Sequence, residues 1–445
     1  MKICAYVQEA YAKANYKVEC LDTRQFVGLR VIIDALQRAG YSTEWAGIAT
    51  VHLYDIVLVS LTADCDWWSF IAERLRWQPG SYRVIVGGAG VLHVSPFLRF
   101  ADYFSLGRGE DTIVQLIRAL DGHDAVLDDS IIEAKTFSPN RIYHIRQADQ
   151  FYSFPVQIDD KHDFVETAIG CPRKCYFCGY TWHRKFISTR DYYSIGTGLF
   201  NMEDRERAML DLMRDPDCID FQHLRSTAID GCSARLRKMV NKPITREVFV
   251  FFLRQMIAQR TAPHQIKLFN IVGYPTESQA DYEELLDTLS EADSCPVSGK
   301  QWSLVISSTH FRPMPATPMA CAAMCKENLR GVLHRTIGAS LKGGLLYQGH
   351  GYWVVEGMGT ESLAPVMLSA IAHRGDQEDS ENIIRLCKTP KFWRADTMTR
   401  QLTLEKYFDV DRLFGSFTRS TLPSRYLRTY AKVEKLWPEA NDGQV

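Results

Sequence analysis

Short, nearly unbroken apolar segments alternate with helical patterns in the first part of the chain, and this alternation restricts the possible folds strongly. Residues 56–61 and 83–86 are almost entirely apolar, as expected of strands covered on both faces. A helix that Gly40 would cap is indicated earlier by apolar residues at helical spacing: Leu29, Ile32, Ile33 and Leu36. Another helix is predicted from Glu110. Strands that alternate with helices predict a parallel, doubly wound sheet.

The alternation returns after residue 160, with longer loops behind the strands. Candidate elements are strands at 164–169, 220–225, 267–272 and 302–307, and helices at 203–213 and 280–289. This pattern is typical of a full or partial (β/α) barrel of the TIM type. The chemistry of such a barrel lies on the loops at the carboxyl ends of its strands.

The predicted fold class is therefore α/β, in four regions. They are an N-terminal Rossmann-like doubly wound sheet (1–122), a linker with one or two added strands (123–160), a partial TIM-type barrel (161–345) and a mixed C-terminal extension (346–445). Open parallel sheets bind ligands at the carboxyl ends of their strands. In the first region these ends carry Ser60, Leu61, Gly87 and Gly88.

Composition limits the classes of function. Lys and Arg number 52 against 53 Asp and Glu, so the chain has no overall basic field that would favour nucleic-acid binding. No apolar run approaches the ~20 residues of a spanning helix, and we expect a cytoplasmic protein without a membrane partner. Twelve cysteines are then expected to be core residues, metal ligands or catalytic groups rather than disulfides.

Three cysteines follow a predicted strand at C-x3-C-x2-C spacing: Cys171, Cys175 and Cys178. Thiolates so close together on one loop can surround a single metal centre. A structural zinc site needs four ligands, so a zinc interpretation requires a further residue such as His183. Three thiolates on a four-iron cluster leave one iron open to a second molecule. Buried core cysteines are the remaining alternative.

The cysteine segment, with the aromatic Phe177 before its third cysteine, resembles the signature of radical S-adenosylmethionine (SAM) enzymes. The resemblance implies that the three cysteines hold a 4Fe–4S cluster whose open iron chelates SAM. Electron transfer from a partner such as a flavodoxin or ferredoxin would then cleave SAM to methionine and a 5′-deoxyadenosyl radical. The further matches below cover most of the chain.

Later segments resemble the SAM-contacting stretches of the same family. Residues 273–277 match its G-x-P-x-E turn, with Gly273 and Glu277 at the first and last positions of the motif. In the family, the backbone of this turn contacts the adenine of SAM. Asp230 corresponds to an acid that meets the ribose, and Ser233 and Arg235 to groups that meet the SAM carboxylate. Residues 311–318 match a proline-rich run that closes the barrel. The family's Gly-Gly-Glu element is not evident, and the interval from Cys178 to Asp230 is short, so a reduced barrel is expected.

The first region resembles the cobalamin-binding domain that precedes many of these barrels. The resemblance implies that Ser60, Leu61, Gly87 and Gly88 border the nucleotide tail of cobalamin. The Asp-x-His-x-x-Gly loop that supplies an axial histidine is missing, because residues 22–28 contain no histidine. Two alternatives remain open. The region either binds cobalamin without an axial histidine, or it recruits the substrate and binds no cobalamin.

The expected function is a radical SAM enzyme, with cobalamin-dependent methylation of an unactivated carbon as the leading reaction. The alternatives are a cobalamin-independent rearrangement, cyclisation or thiolation, and a non-catalytic metal-binding protein. No motif identifies the substrate.

Three further features are expected to be mostly structural. Cys321 and Cys325 are placed at i and i+4 on one helix face, and are expected as buried or surface thiols rather than ligands. His373 is either part of an active-site lid or the end of a helix capped by Gly375. The basic and aromatic residues of 412–435 are expected to form an amphipathic helix, with RNA binding as the alternative.

Overall fold

The structure is a computed structural model. It describes residues 1–8, 27–139, 141, 143–147, 149–150, 152–159, 162–166, 168–170, 174–188, 226–242, 244–258, 264–293, 302–326, 333, 351–356 and 363–415. The predicted strand 220–225 and the predicted helix 203–213 lie outside these residues. In the described part of the chain, no helix is both long and apolar enough to cross a lipid bilayer.

Six strands lie in the N-terminal region: β1 (Ile3–Tyr6), β2 (Thr43–Ala46), β3 (Ile56–Ser60), β4 (Arg83–Gly87), β5 (Tyr103–Ser105) and β6 (Ile131–Glu133). They form one sheet in the order β2-β1-β3-β4-β5-β6. The first five are parallel, and β6 pairs antiparallel with β5. The predicted α/β class and the parallel N-terminal sheet are confirmed, and β6 is an added strand from the predicted linker.

Alternate residues of the central strands enter two different hydrophobic cores, because successive side chains of a strand point to opposite faces. Ile56, Leu58 and Ile85 face one core, which contains the buried sides of α1 (Val27–Arg38) and α3 (Glu110–Leu120). Val57 and Val59 face the other core, which contains α2 (Asp66–Arg74). The sheet is therefore covered on both faces, as its apolar strands require.

The C-terminal helices complete the second core. They are α8 (Ala364–Arg374), α9 (Asp379–Cys387), α10 (Pro390–Arg394), α11 (Thr397–Tyr407) and α12 (Val410–Phe414). Met367, Ile371, Ile383 and Leu404 belong to the same buried cluster as Val57 of β3. The chain thus returns from its far end to cover a face of the N-terminal sheet.

A second sheet contains four parallel strands in the order β11-β12-β13-β14. They are β11 (Ser226–Ala228), β12 (His264–Val272), β13 (Trp302–His310) and β14 (Gly351–Glu356). The helices of this part are α5 (Ala234–Met239), α6 (Arg246–Ala258) and α7 (Gln279–Asp293). The predicted strands at 267–272 and 302–307 and the predicted helix at 280–289 are confirmed and extended. The described residues show this open sheet rather than a closed barrel.

The predicted strand at 164–169 is divided into two. Strand β8 (His162–Phe164) pairs antiparallel with β7 (Val156–Asp159), and β9 (Ala168–Ile169) pairs antiparallel with β10 (Ile187–Ser188). Between β8 and β9, the Glu166 carboxylate accepts two hydrogen bonds from Arg108, at 2.5 and 3.0 Å, and one from the backbone N–H of Tyr152. These bonds connect Glu166, which lies at the break between the two strands, to Arg108 of the N-terminal region and to Tyr152.

The prediction of a helix at Cys321 and Cys325 is wrong. Residues 315–321 form turns, and residues 322–326 have no regular structure. The backbone carbonyls of Ala320 and Ala322 accept hydrogen bonds from the buried Arg374 guanidinium, and Met324 N–H donates to Phe414 O. These groups are the ones that a helix would use for its own hydrogen bonds, so tertiary contacts replace the helix.

Gly88 is required by a contact inside the protein. Its φ is +106°, and a Cβ atom built there would overlap the carbonyl oxygen of Leu61. Leu61 N–H donates to Gly87 O at 2.8 Å, so the loop after β3 lies directly against the end of β4. A Cβ atom at Gly87 would meet only an ordinary contact, 3.5 Å from Ser105 Cβ.

We expect Gly88→Ala to lower the free energy of unfolding by about 2 kcal/mol or more, because both its φ and the Leu61 contact oppose a side chain. Gly87→Ala is the matched control, with an expected change below about 1 kcal/mol. Chemical denaturation of both variants measures the difference. Equal losses at the two positions would contradict the role given to the Leu61 contact.

Candidate functional site

The loop that carries the cysteines is closed at both ends. Strands β9 and β10 pair across its base, with Ile169 opposite Ile187. Gly170 has a φ of +72°, and a Cβ atom there would lie 2.8 Å from Lys185 O, so the entrance to the loop needs glycine. We call residues 170–186 the Cys loop. Its short helix α4 (Gly179–Trp182) brings the Trp182 indole N–H to Cys175 O, at 2.8 Å.

Two of the three predicted ligands lie in the described part of the Cys loop. Cys175 is buried, Cys178 is half-buried, and Cys178 N–H donates to Cys175 O at 3.2 Å in a turn. Cys171 lies outside the described residues. Among the residues that the structure describes, no three His, Cys, Asp or Glu side chains are grouped as a metal site, so the ligand set remains a prediction.

Aromatic side chains of the Cys loop fix it to the carboxyl ends of β12 and β13. Tyr176 and Phe177 pack against a buried cluster that includes Tyr274 and Phe311, which follow these two strands. The rings of Phe177 and Tyr274 lie 6.2 Å apart, and those of Tyr274 and Phe311 lie 5.0 Å apart. The structure therefore brings together the Cys loop, the turn at 273–277 and the proline-rich run.

His183, the candidate fourth zinc ligand, is used within the protein. Its Nε2 atom lies 2.7 Å from Pro315 O, and its ring lies beside Gly179. Burial lowers the pKa of His183 to about 4, although the hydrogen bond to Pro315 opposes the shift. The side chain is neutral at physiological pH and ties the Cys loop to the proline-rich run.

Asp230 follows β11 in a left-handed backbone conformation, with φ +47°. Its Oδ2 atom accepts a hydrogen bond from the Lys242 ammonium at 2.6 Å, and its carbonyl accepts one from the Tyr274 hydroxyl at 2.9 Å. The Lys242 side chain is 1% exposed and that of Asp230 is 15% exposed. Asp230 therefore lies at the strand ends beside Tyr274 in a buried ion pair, and its contact with SAM stays a prediction.

Ser233 and Arg235 both bind Asp281. Ser233 caps α5 by accepting Leu236 N–H, and its hydroxyl donates to Asp281 at 2.5 Å. The Arg235 guanidinium contacts Asp281 at 2.6 Å and donates to Thr276 O at 2.9 Å. These contacts give both residues a structural task, which is to hold the turn at 273–277 to α5. A contact of either residue with SAM stays a prediction.

Glu277 closes the turn after β12. Its Oε2 atom accepts the backbone N–H of Gly273 at 2.5 Å and that of Tyr274 at 2.9 Å. Gly273 has a φ of +86°, and a Cβ atom there would lie 3.1 Å from the His310 ring. Burial raises the pKa of Glu277 to about 7, against the two N–H donors that favour the carboxylate. Glu277 shapes this strand end through the backbone.

The carboxyl ends of both sheets border one cavity of about 310 Å³. The N-terminal half supplies the loops after β3 and β4, and the second sheet supplies the ends of β12 and β13. The Cys loop supplies Phe177, and α8 supplies His373. Of the four residues assigned to the first region, Ser60, Leu61, Gly87 and Gly88, none lines this cavity. Leu61 is buried, and Gly88 lies against its backbone.

A charged network lies at this cavity. Asp64 Oδ2 accepts hydrogen bonds from Ser369 Oγ and from Arg312 Nη1, the latter at 3.4 Å, and lies 3.5 Å from His373 Nε2. Burial raises the pKa of Asp64, but His373, Arg312 and the Ser369 hydroxyl outweigh it and hold the pKa below its ordinary value. Burial lowers the pKa of His373 to about 4. At physiological pH the network therefore contains one carboxylate, one guanidinium and a neutral imidazole.

Sequence reasoning missed Asp64 and gave Arg312 no role. His373 was identified only as a lid or helix-end residue, and it lies near the end of α8 while its neighbour Arg374 binds carbonyls. Asp64 follows the carboxyl end of a predicted strand, and this position was the available signal. Its partners are 248 and 305 residues away, so the cluster itself could not be seen.

Replacement of Glu277 by glutamine should change how stability depends on pH. Because the pKa rises from 4.5 to about 7 on folding, the unfolded chain loses this proton first, and stability falls as the pH rises through that interval. Glu277→Gln keeps an acceptor for the two N–H groups and removes the titration. Its melting temperature relative to wild type should therefore rise from about pH 5 to about pH 8.

Glu283→Gln, on the exposed side of α7, is the control and should show no such trend. A melting difference between Glu277→Gln and wild type that does not vary with pH would show that the carboxylate is not desolvated as described.

Comparison with known proteins identifies no relative. No protein-family model matches the chain, and no curated protein matches it. The functional assignment therefore depends on the chain's own residues and their arrangement.

Proposed function

We propose that the protein is a radical SAM enzyme whose Cys171, Cys175 and Cys178 bind a 4Fe–4S cluster. The observation that carries the proposal is the position of the Cys loop. Cys175 and Cys178 lie on a closed loop that packs, through Tyr176 and Phe177, on the carboxyl ends of two parallel strands. Parallel α/β sheets bind ligands at that end.

The donor set fits an iron–sulfur cluster. Thiolates are the usual ligands of such clusters, and three on one short loop leave a position open for a second molecule. With SAM and an electron from a donor such as a flavodoxin or ferredoxin, a cluster of this kind yields a 5′-deoxyadenosyl radical. The protein's own contribution is to orient the loop and to limit access of water, since Cys175 is 6% exposed.

Residues around the strand ends would give SAM a fixed binding surface. Glu277 occupies the N–H groups of Gly273 and Tyr274, and Asp281 holds Ser233 and Arg235. Asp230 is partly exposed and lies beside this turn, and we assign it the contact with the SAM ribose. The others keep the turn in place beside it.

The leading reaction is cobalamin-dependent methylation of an unactivated carbon, and the alternatives are a cobalamin-independent rearrangement, cyclisation or thiolation. The four residues that the resemblance places beside cobalamin do not line the cavity between the two sheets, and Gly88 lies against the Leu61 backbone. Cobalamin binding by the first region therefore stays a prediction.

The Cys175→Ala variant tests the cluster. After anaerobic reconstitution with iron and sulfide, wild type should be brown, should contain iron and should form 5′-deoxyadenosine from SAM under reduction. Cys175→Ala should lose the cluster and at least about 100-fold of SAM cleavage, because the removed thiolate is one of three protein ligands. Cys387→Ala, in α9, removes a thiol distant from the loop and should behave as wild type.

Three results would overturn the proposal. They are a colourless wild-type protein that binds zinc, a Cys175→Ala variant that still cleaves SAM, and a reconstituted cluster whose electron paramagnetic resonance spectrum does not change with SAM. The first would instead favour the non-catalytic metal-binding alternative.

A further inference from the structure

We propose that the cavity between the two sheets binds a small, largely apolar carboxylate, whose carboxylate group is held by Arg312 and His373. The site is composed of the loops after β3 and β4, the ends of β12 and β13, Phe177 of the Cys loop, and α8. None of the sequence motifs discussed above assigns a ligand to Asp64, Arg312 or His373.

The side chains that line the cavity favour a small ligand that is largely apolar. Leu92, Phe177, Ile271, Phe311 and Met314 line the cavity. A volume of about 310 Å³ is enough for one small organic molecule, and burying apolar surface against these side chains supplies the general part of the affinity.

The unused N–H donors of the charged network favour a ligand that carries hydrogen-bond acceptors. Asp64 already accepts from Cys65 N–H, Ser369 Oγ and Arg312 Nη1, so its oxygens are largely satisfied. A guanidinium has five N–H donors, and Nε and Nη2 of Arg312 have no hydrogen bond to the described residues. Within this network, Arg312 therefore keeps N–H donors that Asp64 does not use.

His373 adds a second donor. The side chain is 7% exposed, and its buried Nε2 atom lies 3.5 Å from Asp64 Oδ2 but makes no hydrogen bond to the described residues. The Asp64 carboxylate at 3.5 Å favours the tautomer with a proton on Nε2. A buried donor without a partner costs free energy, which a ligand oxygen would recover. A carboxylate can accept from Arg312 and His373 together, whereas the Asp64 oxygens, which already accept three hydrogen bonds, are less available to an amine.

Binding at this cavity requires neither iron nor SAM. We infer that the bound carboxylate is the substrate of the radical reaction, and this step rests on the proposed function. It is supported by Phe177, which belongs to the Cys loop and also lines the cavity.

Isothermal titration calorimetry with phenylacetate tests the site. We expect saturable binding of phenylacetate to wild type. The neutral phenylacetamide and the cationic phenethylamine should each bind at least about tenfold more weakly, and a tenfold change in Kd corresponds to about 1.4 kcal/mol of binding free energy. Arg312→Gln should weaken phenylacetate binding by at least about tenfold, since a hydrogen bond to a charged group is lost. Arg385→Gln, an exposed arginine of α9, is the control and should bind as wild type.

Leu92→Trp provides a second variant that leaves every charged residue in place. The larger side chain should fill the cavity and abolish binding of phenylacetate, and a thermal melt confirms that each variant is folded. The inference is overturned by any of three results: no saturable binding of phenylacetate to wild type, equal affinity for folded Arg312→Gln, or preference for phenethylamine. Because the titration needs no cluster, its failure leaves the iron and SAM measurements unaffected, and their failure leaves the titration unaffected.

Discussion

One buried guanidinium connects the two halves of the molecule. Arg374, at the end of α8, is 3% exposed and donates hydrogen bonds to the carbonyls of Leu413 and Gly415 in the C-terminal region and of Ala320 and Ala322 beyond β13. A buried charge is tolerated only when it is hydrogen-bonded, so these carbonyls must stay where they are. This single side chain therefore joins the helices that cover the first sheet to the segment that follows the second sheet.

The position of the cavity follows from that connection. Since α8 is held against the segment after β13, its next-to-last residue, His373, lies beside Arg312 and Asp64. The carboxyl ends of two parallel sheets then face one space, with the Cys loop at its side. In parallel sheets these ends carry variable loops, which explains why residues from six separate chain segments can meet there.

The charged residues at the strand ends of the second sheet are bound by neighbouring groups of the protein. Glu277 binds backbone N–H groups, Asp281 binds Ser233 and Arg235, and Lys242 binds Asp230. Each bond restrains a turn at a strand end rather than leaving a side chain directed at solvent. Preorganised turns of this kind present backbone groups and the Cys loop in a fixed geometry, at no ordering cost when a ligand binds.

Local patterns in the sequence determined which segments form the central strands and helices. The apolar runs of β3 and β4, the Leu29 to Leu36 spacing of α1 and the positive φ of Gly40 after that helix were all predictable, because they depend on neighbouring residues. The Cys-x3-Cys-x2-Cys spacing likewise identified the Cys loop. Tertiary structure alone decided three other features: the break at Glu166, the absence of a helix at Cys321 and the joining of Asp64, Arg312 and His373. Each depends on a bond between residues far apart in the chain, such as Arg108 with Glu166 or Arg374 with Ala322, and no local pattern records which distant partners will meet.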